Sequence, residues 1–138
     1  MTVHGGLLRL ETAGDGEVVD LTAGVRSVVA TSGVERGAAV VFARGATVAV
    51  TTLEYEPGAV ADLTAVLQEL VPRVRAWEHN RRNGDTNAHA HVRAALLGPS
   101  ETIPIVGGEL VLGTWQQIVL LDFDDRPRER EVVVHVLG

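Results

Sequence analysis

Cysteine is absent from the 138 residues, which excludes disulfides, thiolate nucleophiles, iron–sulfur clusters and cysteine-type zinc sites. A metal would have to sit on histidine, carboxylate and amide groups. An excess of base is also missing: twelve basic residues against eighteen acidic ones give a formal charge of −6. The two signs are mixed along the chain, so no basic face is offered to nucleic acid or to an anionic membrane. No apolar run is long enough to span a bilayer. The first twenty residues, MTVHGGLLRLETAGDGEVVD, meet Glu11, Asp15, Glu17 and Asp20 too early for a secretory signal. A soluble cytoplasmic protein is expected, without nucleic-acid or membrane partners. The GxSxG elbow, the P-loop and the GxGxxG fingerprint are missing too, which removes serine-hydrolase, nucleotide-triphosphatase and Rossmann readings.

What is present suits one domain over residues 1–138, with 46% hydrophobic residues to build its core. LLRLET followed by Gly14-Asp15-Gly16 reads as a strand and turn opening a first hairpin. From Asp20, a candidate cap, Leu21, Val25, Val28 and Val29 recur at helical spacing up to a stop at Gly33. AAVVFAR and ATVAVTTLE read as a two-stranded unit joined at Arg44-Gly45. After Pro57-Gly58 breaks that pattern, Val60, Leu63, Leu67, Leu70, Val71 and Val74 mark an amphipathic helix. HNRRNGDTN reads as an exposed loop. AHAHVRAALLGP then reads as a short helix capped by Thr86 or Asn87 and closed by Gly98-Pro99, with a strand as the alternative. The C-terminal third alternates apolar runs with turns, the pattern of consecutive antiparallel strands. Strands interspersed with two or three helices, without regular βαβ alternation, predict an α+β fold with a largely antiparallel, sandwich-like sheet.

The densest polar cluster is His79, Asp85, Asn87, His89 and His91. Imidazole and carboxylate together suit zinc and other borderline metals, although the spacing matches no strong zinc signature. On a helix His89 and His91 lie about 200° apart, so only one enters a given site, whereas on a strand they share a face. His91 is the better candidate because Ala95 leaves room one turn later, and His89 reads as a surface or interface residue. His79 can also be read as a cation at a helix C-terminus, and Asp85 as a turn or capping acid. Glu54 ends a strand where a carboxylate can project toward a site. In an extended segment Arg126, Arg128 and Arg130 point one way and could hold phosphate oxygens, or form ordinary ion pairs. Trp115 reads as core, and Gln116 beside it needs a polar partner.

The string NAHAHVRAALLGPSETIPIVGGELVLGTWQQIVLLDFDDRPRER, with the upstream TTLEYEPGAVADL and WEHN, resembles the YjbQ-type, or secondary thiamine-phosphate synthase, family over roughly residues 37 to 137. Its most specific element is GELVLGTWQQI. The resemblance implies a small cytoplasmic α+β protein that assembles as a homotrimer, with a polar pocket near subunit boundaries. It also implies weak thiamine-phosphate synthesis, in which a pyrimidine pyrophosphate couples to a thiazole phosphate and pyrophosphate is released. Carried over by position, Glu54, His79 and His91 become catalytic candidates, and Asn87, Trp115, Gln116, Arg128 and Arg130 become binders of a small phosphorylated metabolite. His79, Asp85 and His91 become ligands of a divalent metal, Mg or Zn. Gly45-Ala46-Thr47 stands where many members carry His-Thr-Thr or His-Thr-Ser. Two alternatives stay open: a non-catalytic trimeric module that binds a metabolite or metal, and a metal-dependent hydrolase of another substrate.

Overall fold

The computed structural model describes residues 1–138. In chain order its elements are β1 (Val3–Thr12), β2 (Glu17–Asp20), α1 (Thr22–Ser32), β3 (Arg36–Arg44), β4 (Val48–Leu53), α2 (Pro57–Leu70), α3 (Glu78–Asn83), α4 (Ala88–Leu97), β5 (Ser100–Val106), β6 (Glu109–Leu110), β7 (Gln117–Asp122) and β8 (Arg128–Leu137). They form an α+β sandwich of two antiparallel sheets. Sheet A has the order β1-β8-β3-β5-β6 and sheet B the order β2-β7-β4. The expected fold class holds, with four helices instead of two or three.

The main core lies between the sheets. Val132, Val134 and Val136 of β8, Val41 of β3 and Ile105 of β5 meet Val50 of β4 and Ile118 and Leu120 of β7, while Val25 and Val29 of α1 close one side. A second core lies on the far face of sheet B, where Val119, Leu121 and Phe123 pack against Leu67 of α2 and Ala90 and Ala94 of α4. Strand β7 is therefore covered on both faces, which explains why QIVLLD reads as a continuous apolar run without alternation. By contrast, no helix covers the outer face of sheet A, where Leu7 and Phe42 flank Val133 in register. No helix of the chain is long and apolar enough to cross a membrane.

Several local expectations change on folding. The first turn is not a hairpin, because β1 pairs with β8 and β2 with β7, in different sheets. Likewise β3 pairs with β5 and β8, whereas β4 pairs with β7, so the two halves of the expected two-stranded unit face each other across the core. Helix α1 ends as expected at Gly33, which takes φ 70°. Asp20 accepts the Thr22 N–H at 2.9 Å although Leu21 occupies the cap position. Pro57-Gly58 begins α2 instead of merely breaking a strand: the Glu56 carboxylate accepts the N–H groups of Gly58 and Ala59, and proline suits the first helical turn. That helix stops at Leu70, short of Val74, because Pro72 disfavours helical geometry at Val71. Leu70 and Val74 are consequently exposed. The segment expected as loop contains α3, whose first turn carries Glu78 and last turn Arg81 and Arg82, in the sense the helix dipole favours. Gly84, at φ 60°, ends it.

Candidate functional site

The residues singled out from sequence gather at the two ends of sheet B. Glu54 and Gln116 adjoin the Leu53–Gln117 end of the β4–β7 ladder, and the His, Asn and Arg cluster adjoins the opposite Val48–Asp122 end. At a strand rise of about 3.4 Å per residue, the five steps of β4 separate these ends by about 17 Å. One chain alone therefore offers two half-sites.

At the first end lies a cavity of about 430 Å³, lined by Glu54, Tyr55, Trp115 and Gln117 among others. Trp115 is a correction to the sequence reading: its side chain is 74% exposed and not core. The turn between β6 and β7 holds it outward. Gln116 fixes this turn, accepting the Gly113 N–H at 3.0 Å and donating to Thr52 Oγ1 at 3.1 Å. Tyr55 is tied to the same corner through its N–H to Gln117 Oε1 at 2.8 Å. Glu54 is exposed, so its carboxylate is open to a ligand.

At the second end, α3 and α4 bring His79 and His91 together with ring centroids 4.7 Å apart. Asn80 sets the tautomer of His79. Its Oδ1 accepts the Ala88 N–H at 3.1 Å, so that atom is an acceptor, and His79 Nδ1, 3.0 Å from it, must donate. The neutral ring of His79 then carries its lone pair on Nε2, the atom able to take a proton or bind a metal. Asn87 is buried, and its Oδ1 has no partner in the chain. Asp85 Oδ1 accepts the Thr86 N–H at 2.8 Å, a turn role, and the Thr86 hydroxyl donates to the Asp125 carboxylate. No group of three His, Asp or Glu side chains is placed to hold a metal ion. Two imidazole nitrogens without a third side chain do not fit a complete metal site within one chain.

The arginine row is satisfied by acids of its own chain. Arg130 is 7% exposed. It donates Nε to Asp122 Oδ2 at 2.6 Å and Nη2 to Asp122 Oδ1 at 2.8 Å, and Nη2 also reaches Thr47 Oγ1 at 2.7 Å. Thr12 donates to the same Asp122 carboxylate at 2.5 Å. Arg128 is more open, at 41% side-chain exposure, and pairs with Asp124 at 2.9 Å. Arg126 lies near Asp125 at 3.7 Å. Burial pushes the Asp124 carboxyl up, but the Asp125 N–H, the Thr47 hydroxyl and Arg128 outweigh it and hold its pKa at about 2. Gly45 sits against this network: a Cβ there would approach Arg130 Nη1 to 2.8 Å, and its φ is +148°. A side chain at this position would therefore have to displace Arg130.

Sequence reasoning passed over two residues. His89, read as a surface or interface residue, is 3% exposed, and Arg93, not singled out at all, is 8% exposed. They follow each other by one helical turn on α4, and that i, i+4 spacing was the available signal.

With the geometry established, a family model described as UPF0047 protein YjbQ-like matches residues 7–138. The chain belongs to this family. Its match begins in β1, so the resemblance extends well N-terminal of residue 37. A UPF0047 protein of Methanothermobacter thermautotrophicus is 38% identical over 138 residues, covering 100% of this chain and 94% of that protein. A crystal structure of a YbjQ-like protein of unknown function from Sulfolobus solfataricus superimposes with a TM-score of 0.94 at 36% identity, covering 99% of this chain and 98% of the other. An uncharacterised YjbQ/UPF0047 protein from Clostridium acetobutylicum gives a TM-score of 0.85 at 36% identity, covering 95% and 98%. Both solved structures thus share the whole sandwich with this chain.

Proposed function

We propose that this UPF0047 protein is a small cytoplasmic enzyme acting on phosphorylated, thiamine-like substrates, at a site completed between neighbouring copies in a homotrimer. The observation that carries the proposal is the placement of complementary half-sites at opposite ends of sheet B. One end offers an exposed indole and carboxylate, and the other two imidazoles in contact and, on β8, the partly exposed Arg128 guanidinium. On the uncovered face of sheet A, exposed Leu7 and Phe42 flank Val133 in an apolar patch bordered by Arg9, Glu131 and Arg44, and such a patch supports assembly.

In this reading Trp115 stacks on the flat ring of a substrate and Gln116 holds the turn that presents it. Asn87 Oδ1 supplies an unspent acceptor. Arg128 meets phosphate oxygens from the open side, and Arg130 stands behind it, fixing the Asp122 carboxylate. His79 Nε2, with His91 against it, manages a proton, and Glu54 of a neighbouring copy is the second acid–base group. The reaction would join a pyrimidine pyrophosphate to a thiazole phosphate with release of pyrophosphate. A divalent ion could add to this site only with substrate oxygens or a neighbouring copy's group as further ligands, since His79 and His91 supply two nitrogens and Asp85 serves its turn. Paired imidazoles favour Zn over Mg on donor chemistry.

The competing reading, a trimeric module that binds a metabolite without turnover, draws on the commitment of Arg128 and Arg130 to Asp124 and Asp122. A pyrophosphate-release assay with both substrates separates the two. The enzyme reading expects release that requires both substrates and falls about 100-fold or more in His79→Ala. Saturable pyrophosphate binding with no release by the wild type favours the module. Release without the thiazole phosphate would indicate hydrolysis instead.

A further inference from the structure

We propose that a second cavity, on the opposite side of α4 from His91, is a binding site for a small organic monoanion, held by Arg93 with Arg73 and His89 at its walls. The cavity has a volume of about 450 Å³, within the range that holds a small molecule. Arg93, Arg73, His89, Gln68 and Phe123 line it, with Asp15 at the rim.

Two buried arginines in the same chain make the case by contrast. Arg130 has a bidentate carboxylate and a hydroxyl on its guanidinium. Arg93, equally buried, has only the Val71 carbonyl, which accepts from Nε at 3.0 Å and from Nη2 at 2.8 Å. It forms no ion pair with any carboxylate of the chain, and its nearest other compensation is the Phe123 ring, with the guanidinium carbon 6.0 Å from the centroid. A desolvated cation without a counter-charge is costly, and its remaining N–H groups have the planar fork that matches carboxylate or phosphate oxygens.

The other walls agree with this assignment. His89 Nδ1 is buried without a hydrogen-bond partner. Asp15 does not neutralise Arg93, because it pairs with Arg73 at 2.9 Å. Two guanidinium charges against one carboxylate leave one positive charge at the cavity, so a monoanion balances it. Both partners of the Arg73–Asp15 pair are largely solvent-exposed, a pairing that is weak enough for Arg73 to turn inward onto a ligand. Phe123, Pro72 and Val74 offer apolar surface to the body of the molecule. An acid with a carboxylate or phosphate head on an aromatic or aliphatic body fits this chemistry. About 200° separates His89 from His91 around α4, so the cavity is distinct from the His79–His91 pair and does not depend on the enzymatic reading.

The test titrates the full-length protein with benzoate, phenyl phosphate and neutral benzyl alcohol, by calorimetry and by amide shifts. Saturable binding of at least one anion is expected, with none of the alcohol, and the stronger anion identifies the head group. Arg93→Lys keeps the charge but loses the fork and should weaken binding about tenfold or more. Arg73→Gln, which removes only a solvent-exposed ion pair with Asp15, should weaken it several-fold, and His79→Ala should bind as the wild type does. The proposal is overturned if neither anion saturates, if Arg73→Gln binds as tightly as wild type, or if His79→Ala abolishes binding. Should Arg93→Lys fail to fold, Arg73→Gln alone decides.

Discussion

Replacing Arg130 by methionine removes the only cation paired with the Asp122 carboxylate, which is fully buried. Asp122 would keep the Thr12 hydroxyl and the Asp124 N–H as donors but would have no counter-charge. Breaking one side of a buried ion pair costs about 3–5 kcal/mol, a large share of the roughly 5–15 kcal/mol that holds a domain together. The same change at Arg128 should cost about 1 kcal/mol or less, because that guanidinium is 41% exposed and solvent screens its attraction to Asp124. Asp124 would in any case retain Thr47 and the Asp125 N–H. Urea denaturation at one fixed protein concentration measures both losses, since an assembling protein gains apparent stability with concentration. Adding Asp122→Asn to Arg130→Met should recover part of the loss by removing the stranded charge. The reasoning is refuted if Arg130→Met lies within about 1 kcal/mol of wild type, the range of an exposed pair, or if the two single variants lose equally.

Other consequences can be measured independently. Asp124 has a folded pKa of about 2 against an ordinary 3.8, so the unfolded chain binds the extra proton as pH falls. Its contribution, on the order of 2 kcal/mol, is present above about pH 4 and lost toward pH 2; Asp124→Asn should flatten that part of the stability profile. His89 is lowered from 6.5, first by burial and then by Arg93 and Arg73, so stability should also fall as pH drops below 6.5, and a His89→Gln variant should lose that slope. With Trp77→Phe in place, emission reports Trp115 alone; exposed in the single chain, it should shift to the blue on assembly, and emission unchanged across a dilution series would place it outside any interface. Gly37→Ala would set a Cβ 1.8 Å from the Leu137 carbonyl oxygen, so the β3–β8 edge must open and the thermal midpoint must fall well below that of wild type.

How much of this was legible depended on whether the information was local. The Gly33 stop and the apolar spacing through Leu67 follow from a period of 3.6 and appear where expected, as do strands in the C-terminal third. Partner choice between strands was not local. Val3 pairs with Leu137 across nearly the whole chain, and nothing in the GDG turn announces that β1 and β2 enter different sheets. The arginine row was seen, but its acids were hidden: Asp122 and Asp124 lie on the preceding strand end and belong with Arg130 and Arg128 only after the chain doubles back. Trp115 misled because composition assigns an indole to the core, whereas the Gly113–Gln116 turn holds it outside. The angular argument that separated His89 from His91 was sound, yet it could not tell which face of α4 meets sheet B. Tertiary packing decides that: His89 and Arg93 end up buried, at 3% and 8% exposure, whereas His91 is only partly buried.

The most direct test of a site shared between copies is subunit complementation. Glu54→Gln disables one end of sheet B and His79→Ala the other, and each variant alone should release little pyrophosphate from the paired substrates. After the two are mixed, unfolded and refolded together, a mixed assembly contains sites that combine an intact Glu54 with an intact His79 from different copies. The account predicts that activity returns in the mixture as a definite fraction of the wild-type rate. A mixture of folded, assembled variants that stays as inactive as its components would contradict it.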